Sequence, residues 1–296
     1  MPPPRPDDQR GVAAAAGAFA LWGLVPVFWK ALGHVEPLEC LAHRFVWSTT
    51  VAGALVAGTG GLRTVFAHDR RAFGALALSG VLIASNWLTF IWAVQQGQIL
   101  DTSLGYFINP LVSIALGAFL LHEPVDGLRR AAVLLATAAV VYQSVALGRL
   151  PWVSLVLAIT FGLYGYVRKM VPVGSLDGLL IETLFMVPPA LAYLLWLNLH
   201  GGGRFLHDGL GTDVLLLATG PVTALPLLLF AFGARRLQLS TLGFLQYIAP
   251  SLTFVLAVGI YGEPLSPTRL VTFGLIWAAL GLVAWEAWRR RTPFAG

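Results

Sequence analysis

Cysteine and charge are what this sequence has least of. A single thiol, Cys40, excludes an internal disulfide and leaves the redox compartment unspecified. Charged residues make up 11% of the chain, against about 25% in a soluble domain, so water is excluded as the main solvent of its surface. No GxxxxGK[ST] loop is present, so ATP is not hydrolysed by this chain. There is no HExxH, no Asp-rich cluster and no Cys/His ligand set, and the histidines are scattered among different segments. Neither a metal nor another cofactor is expected.

What the chain has in quantity is apolar sequence. Hydrophobic residues account for 57% of its 296 positions, and the mean hydropathy is +0.76. The apolar runs are about 17–25 residues long, which matches a hydrocarbon layer of roughly 30 Å. In lipid, only a helix satisfies its own backbone one segment at a time. The runs therefore predict ten transmembrane helices, near 11–29, 38–58, 72–94, 99–121, 128–147, 151–167, 178–198, 213–232, 239–260 and 267–288. Glycine and proline breakers such as Gly58, Gly148, Gly201 and Pro267 fall between them.

The net charge of +5 does not point to nucleic acid, because the basic residues sit in short clusters between apolar runs. The N-terminal tail and every second connection hold Arg5, Arg10, Arg63, Arg70, Arg71, Arg129, Arg130, Arg168, Lys169, Arg235, Arg236, Arg289, Arg290 and Arg291. The opposite side holds only Lys30, Arg149, Arg204 and Arg269, with Arg44 left inside a span. This bias predicts a multi-pass protein of the plasma (inner) membrane with both termini cytoplasmic.

One apolar phrase occurs twice. "LGYFINPLVSIALGAFLLHEP" covers 104–124 and "LGFLQYIAPSLTFVLAVGIYGEP" covers 242–264, with 12 residues between Pro110 and Glu123 and again between Pro250 and Glu263. "FALWG" at 19–23 and "FGLYG" at 161–165 open the two halves. The spacing predicts a tail over 1–10, a five-helix repeat over 11–147, a second over 148–288 and a basic tail over 289–296. Five is odd, so the second repeat enters the membrane from the other side, placing Glu123 at the cytoplasmic face and Glu263 at the outer face. Inverted repeats are a recurring secondary-transporter architecture with the substrate site near the midplane.

The stretches "LWGLVPVFWKALGHVEPLECLAHRFVWS", "SNWLTFIWAVQQGQILDTSLGYFINPLVSIALGAFLLHE" and "FGLYGYVRK" resemble the RarD branch of the EamA-type drug/metabolite transporters. The resemblance runs along essentially the whole chain. It implies ten helices in two inverted five-helix repeats and export of small metabolites or drugs, with no particular substrate. That branch has been linked to chloramphenicol sensitivity or resistance. Because the match runs through "PVFWK", it also implies that Lys30 lines the outer pathway.

A charge inside a span costs roughly 2.5–3.5 kcal/mol and needs a partner or a water-filled cavity. Arg44 is expected either to attract anions in an outer vestibule or to pair with Glu39. Glu39 and His43 stand i, i+4 on one helix face and form a candidate proton-coupling pair. Glu182 is the alternative proton carrier, or an ion-pair partner of Arg168 or Lys169. Pro26 frees a backbone carbonyl beside Trp22 and Lys30. Asn86, Trp87, Phe90, Gln95, Tyr106, Asn109, Gln246 and Tyr247 place amides and rings along spans 3, 4 and 9. That chemistry suits an amphipathic or zwitterionic organic solute, although interhelical bonding would use the same residue types.

Together these features predict a secondary transporter working by alternating access. Solute would enter near Glu182, Tyr164 and Arg168 and leave past Arg44, His43 and Lys30. Lipids, a small organic solute and protons are the expected partners; a homodimer is compatible but unspecified. A passive pore would need a continuous polar stripe, which Leu, Phe and Val interrupt. An intramembrane enzyme would need a converging catalytic set, and only Glu39–His43 offers a pair, so no enzymatic activity is expected.

Overall fold

Two helices begin where the sequence supplies an acidic cap. Asp8 accepts the Arg10 N–H at 3.0 Å and opens α1 (Gln9–Ala31). After α2 (Pro37–Gly58), Asp69 accepts the Ala72 N–H at 2.7 Å and opens α3 (Arg70–Gln95). Each carboxylate satisfies a donor that the first helical turn cannot. At the end of α3 the Gln98 N–H reaches the Ala93 carbonyl and the Gly97 N–H reaches the Val94 carbonyl. This turn needs a left-handed residue, and Gly97 adopts φ +70° without the 1–2 kcal/mol or so that a side chain there would cost. The chain therefore reverses into α4 (Ile99–Leu120) within three residues.

The computed structural model describes residues 8–58, 61, 65, 67–120, 127–234, 236–237 and 239–289. Beyond α4 these form α5 (Gly127–Leu147), α6 (Trp152–Met170), α7 (Ser175–Leu199), α8 (Leu210–Ala234), α9 (Leu239–Leu245), α10 (Ile248–Val255) with a π turn over Leu256–Ile260, and α11 (Pro267–Arg289). No strand occurs among the described residues, so the fold is all-α. The Glu123–Pro124 corner, Arg63, Arg235 and residues 290–296 lie outside the described residues.

Eight helices, α1, α3 to α8 and α11, are long and apolar enough to cross a membrane. Large apolar side chains such as Phe119, Val145 and Leu210 face outward, whereas Asn86, Glu182 and Thr219 are buried. Apolar residues outside with polar residues inside is the arrangement of a chain solvated by lipid. The chain is a multi-pass membrane protein. Two expected spans depart from a plain apolar rod. α2 carries Glu39, His43 and Arg44 in its first turns.

The expected single helix over 239–260 is instead broken between α9 and α10, at Gln246 and Tyr247. Pro250 leaves one helix bond unmade there: it has no N–H to offer the Gln246 carbonyl, and its ring crowds that group. Pro110, its counterpart in the sequence repeat, sits inside an unbroken α4.

The closest helix pairs join early segments to late ones: α4 with α6, α1 with α10, α3 with α6, α1 with α8, α3 with α7, α2 with α8, and also α2 with α7 and α5 with α11. Glycines set several of these distances. A Cβ on Gly220 of α8 would meet the Trp47 carbonyl oxygen of α2 at 2.6 Å, and one on Gly80 of α3 would meet the Glu182 carbonyl oxygen of α7 at 3.0 Å. Small residues let backbones approach in this way.

Polar contacts tie segments together at one end of the bundle. Gln95 donates to the Leu32 and Val35 carbonyls, Glu39 accepts from the Arg204 N–H, and Tyr193 donates to Glu36 at 2.7 Å. Arg269 bonds Asp101 at 3.0 Å. Glu263 accepts the Ile99 and Leu100 N–H groups at 2.7 and 2.8 Å. Burial raises the Glu263 carboxyl above its ordinary range, while those two donors and Arg269 pull it back. At the opposite end Arg236 pairs with Asp8, and Arg168 with Glu182.

Candidate functional site

Arg44 enters the interior from the second turn of α2. It is 9% exposed, and its guanidinium carbon stands 3.6 Å from the Trp87 ring centre and 5.6 Å from that of Trp29. Stacking on an indole suits a planar, weakly hydrated cation. Nε makes no hydrogen bond, and no carboxylate pairs with Arg44 among the described residues. The expected Arg44–Glu39 pair is absent. The two residues are five apart on α2, and Glu39 is drawn to the Arg204 and Phe205 N–H groups instead.

A run of rings leads away from Arg44. Tyr106 lies within its electrostatic reach, touches Phe90 at 5.8 Å between centroids, and meets Phe161 edge-on at 6.0 Å. Phe161 in turn contacts Tyr164 at 5.8 Å. The Tyr164 hydroxyl reaches Glu182 at 3.4 Å. Glu182 is buried and accepts from Ser79 at 2.6 Å, with the Arg168 Nε at 3.5 Å. Arg168 packs over Gly178, where a Cβ would collide with the guanidinium. Residues from α2, α3, α4, α6 and α7 thus line up between two buried charged groups.

Two expected site groups take partners elsewhere. Glu39 and His43 share a helix but make no bond to each other. The His43 Nδ1 accepts from the Trp47 Nε1–H at 3.2 Å, and its ring packs on Phe205. Asn86 is fully buried. Its amide donates to the Leu157 carbonyl and to Thr160, both at 2.9 Å, and its oxygen accepts from Tyr106 at 3.2 Å. It ties α3 and α4 to α6 and fixes the Tyr106 hydroxyl.

The remaining candidates are dispersed. Gln95 directs its amide to the α1–α2 turn, and Lys30 sits 5.7 Å from the Tyr261 ring centre. Trp22 packs with Phe19 and Phe230, while Pro26 is buried in α1. Tyr247, beside Gln246 at the helix break, stacks on Phe107. Asn109 keeps a buried oxygen without a partner. Trp29, Phe161 and Ser79 were not among the expected site residues. Trp29 and Phe161 lie inside the family-like motifs, whereas nothing in the sequence marks Ser79.

Buried charges joined by rings, within a bundle of lipid-facing helices, define a polytopic membrane protein with a polar interior. Residues 9–144 match the EamA-like transporter family. The chain is 43% identical to an uncharacterized transporter of Vibrio cholerae, covering 98% of this chain and 99% of that one. It is also 43% identical to Protein RarD of Streptomyces exfoliatus, covering 96% and 90%. A solved crystal structure that is 19% identical superposes over 97% of this chain and 99% of its own with a TM-score of 0.60. The chain belongs to the EamA-type transporters, in the RarD branch, and it is a membrane transporter.

Proposed function

We propose that this chain is a secondary-active exporter of a small amphipathic or zwitterionic organic solute. It works in the plasma membrane by alternating access between residues 11–147 and 148–288, two halves inverted relative to each other. α2 and the broken α9–α10 segment complete ten crossings, and both termini face the cytoplasm.

The observation that carries this reading is the behaviour of the packing under exchange of the halves. Replacing each helix by its counterpart five spans on turns α4–α6 into α10–α1, α3–α6 into α8–α1 and α2–α8 into α7–α3, and every one of these pairs is in contact. The pairs α2–α7 and α5–α11 map onto themselves. Such an arrangement supports two packings of similar energy, related by the exchange, each opening the ring-lined interior to one side. In this reading, the end held by Glu263, Asp101–Arg269 and Glu39 is the closed one.

Solute enters past Arg168, Tyr164 and Glu182 and leaves past Arg44. With Glu39 and His43 apart, Glu182 is the carboxyl that carries a coupled proton. Comparing the metabolites of medium and cytosol, in cells with and without the chain, tests the reading. The expected result is a solute whose chain-dependent export saturates and stops when the proton gradient is collapsed. Flux that neither saturates nor responds would indicate a passive pore. A chemically altered product would indicate an enzyme.

A further inference from the structure

The least compensated group in the interior is Arg44. Among the described residues, the other charges of its depth have a protein partner: Glu182 has Arg168, Asp101 has Arg269, and Glu286 has Arg129. The carboxylates toward the closed end, Glu36, Glu39, Asp101, Asp208, Asp213 and Glu263, are each engaged elsewhere. Arg44 has only ring faces. Cation–π contact offsets part of the desolvation of a guanidinium but uses none of its N–H donors, because stacking occupies the face of the plane and leaves the edge free.

A second unused donor stands beside it. The Trp29 Nε1–H is fully buried and has no acceptor, on a ring already 5.6 Å from the Arg44 guanidinium. Buried donors in a packed protein are nearly always satisfied. Two vacant donors on neighbouring groups, with no acceptor supplied among the described residues, call for an acceptor from outside.

We infer that Arg44, with Trp29 and Trp87, is the anchoring site for a carboxylate on the transported solute. The edge of a guanidinium presents two parallel N–H groups, which match the two oxygens of a carboxylate. The rings of Trp87 and Trp29 against it suit a flat apolar body attached to that carboxylate. The solute class is therefore an organic acid or zwitterion with a planar apolar portion.

This inference rests on the transporter reading, and the test separates the two. Medium and cytosol metabolites are compared for cells carrying an empty vector, the wild-type chain, Arg44→Gln and Arg44→Lys. Membrane insertion and thermal unfolding of each purified chain are measured alongside. The expected result is that the wild-type-dependent solute bears a carboxylate. Arg44→Gln then raises its half-saturating concentration on the order of 10–100-fold, the loss expected for a charge-assisted hydrogen-bonded pair. Arg44→Lys, with charge but no fork, falls between the two. If Arg44→Gln fails to insert, the Arg44→Lys shift decides. A dependent solute that is neutral or purely cationic overturns the inference while leaving transport standing. So does wild-type half-saturation in either inserted variant. A wild type indistinguishable from the empty vector overturns transport itself, and this inference with it.

Discussion

Glu263 and Ile99 are 164 positions apart in sequence and 2.7 Å apart in space. The Glu263 carboxylate also takes the Leu100 N–H, so a residue of the second Glu-Pro corner caps the first turn of α4. Unsatisfied N–H groups and the positive end of the helix dipole both favour a carboxylate there. The bond spans the two sequence halves, so it holds the closed end together.

Glu263→Gln should loosen that closure. Losing charge assistance on two hydrogen bonds weakens them by about 1.5–3 kcal/mol in total. Cys40 is buried and is removed as Cys40→Ala to leave a single reporter, Thr102→Cys, on the fully buried first turn of α4. Labelling of that cysteine by a membrane-impermeant maleimide should accelerate roughly tenfold in Glu263→Gln, following the same range. An unchanged rate would remove Glu263 from the closure.

Gly220 and Gly274 should respond oppositely to the same substitution. A Cβ at Gly220 would lie 2.6 Å from the Trp47 carbonyl oxygen, whereas at Gly274 it meets nothing within 4 Å. Gly220→Ala should cost about 1–3 kcal/mol through overpacking. Gly274→Ala should be neutral or slightly stabilising, because alanine is the better helix former. Thermal unfolding in detergent reads both. Equal effects would mean that α8 does not approach α2 as closely as described.

Pro250→Ala should mend the break between α9 and α10. The new N–H at 250 can bond the Gln246 carbonyl, so amide exchange over 246–250 should slow. If the break is a hinge for the exchange of packings, transport should fall as exchange slows. Pro110→Ala, in an already continuous helix, should change exchange at Gln246 little. Rapid exchange persisting in Pro250→Ala would place the cause of the break elsewhere.

Arg168→Gln should destabilise more than Glu182→Gln. The Glu182 side chain is 2% exposed and that of Arg168 is 16% exposed, so losing the arginine strands the more deeply buried charge of the pair. About 3 kcal/mol is expected for that case. The arginine, when stranded, can turn outward. Unfolding of the two single variants and the double variant gives the coupling directly. The reverse order would show that Glu182 is held protonated.

The extent to which the sequence was legible follows element by element. The edges of α3 over Arg70–Gln95 and of α5 over Gly127–Leu147 fall within two residues of the apolar runs that foretold them. The break at Gln246 did not emerge, because Pro110 shares the 12-residue spacing to Glu-Pro yet leaves its helix whole. A proline states that a hydrogen bond is missing, and surrounding packing decides whether the chain bends. Arg44 was legible as an anomaly, since a charge within an apolar run is costly wherever it points. Its ring partners were legible only as types, because aromatic residues are common throughout the chain.

By itself, then, the sequence determined that the chain is a multi-pass, all-helical membrane protein, since an apolar run in hydrocarbon has one way to satisfy its backbone. Only the tertiary structure decided which polar groups meet. Glu39 turned from His43, four residues away, to backbone donors 165 and 166 positions distant, and Asn86 closed on Leu157, Thr160 and Tyr106. A buried donor or acceptor takes the best-placed partner in space, and in a bundle that partner comes from another helix whose position no local pattern encodes.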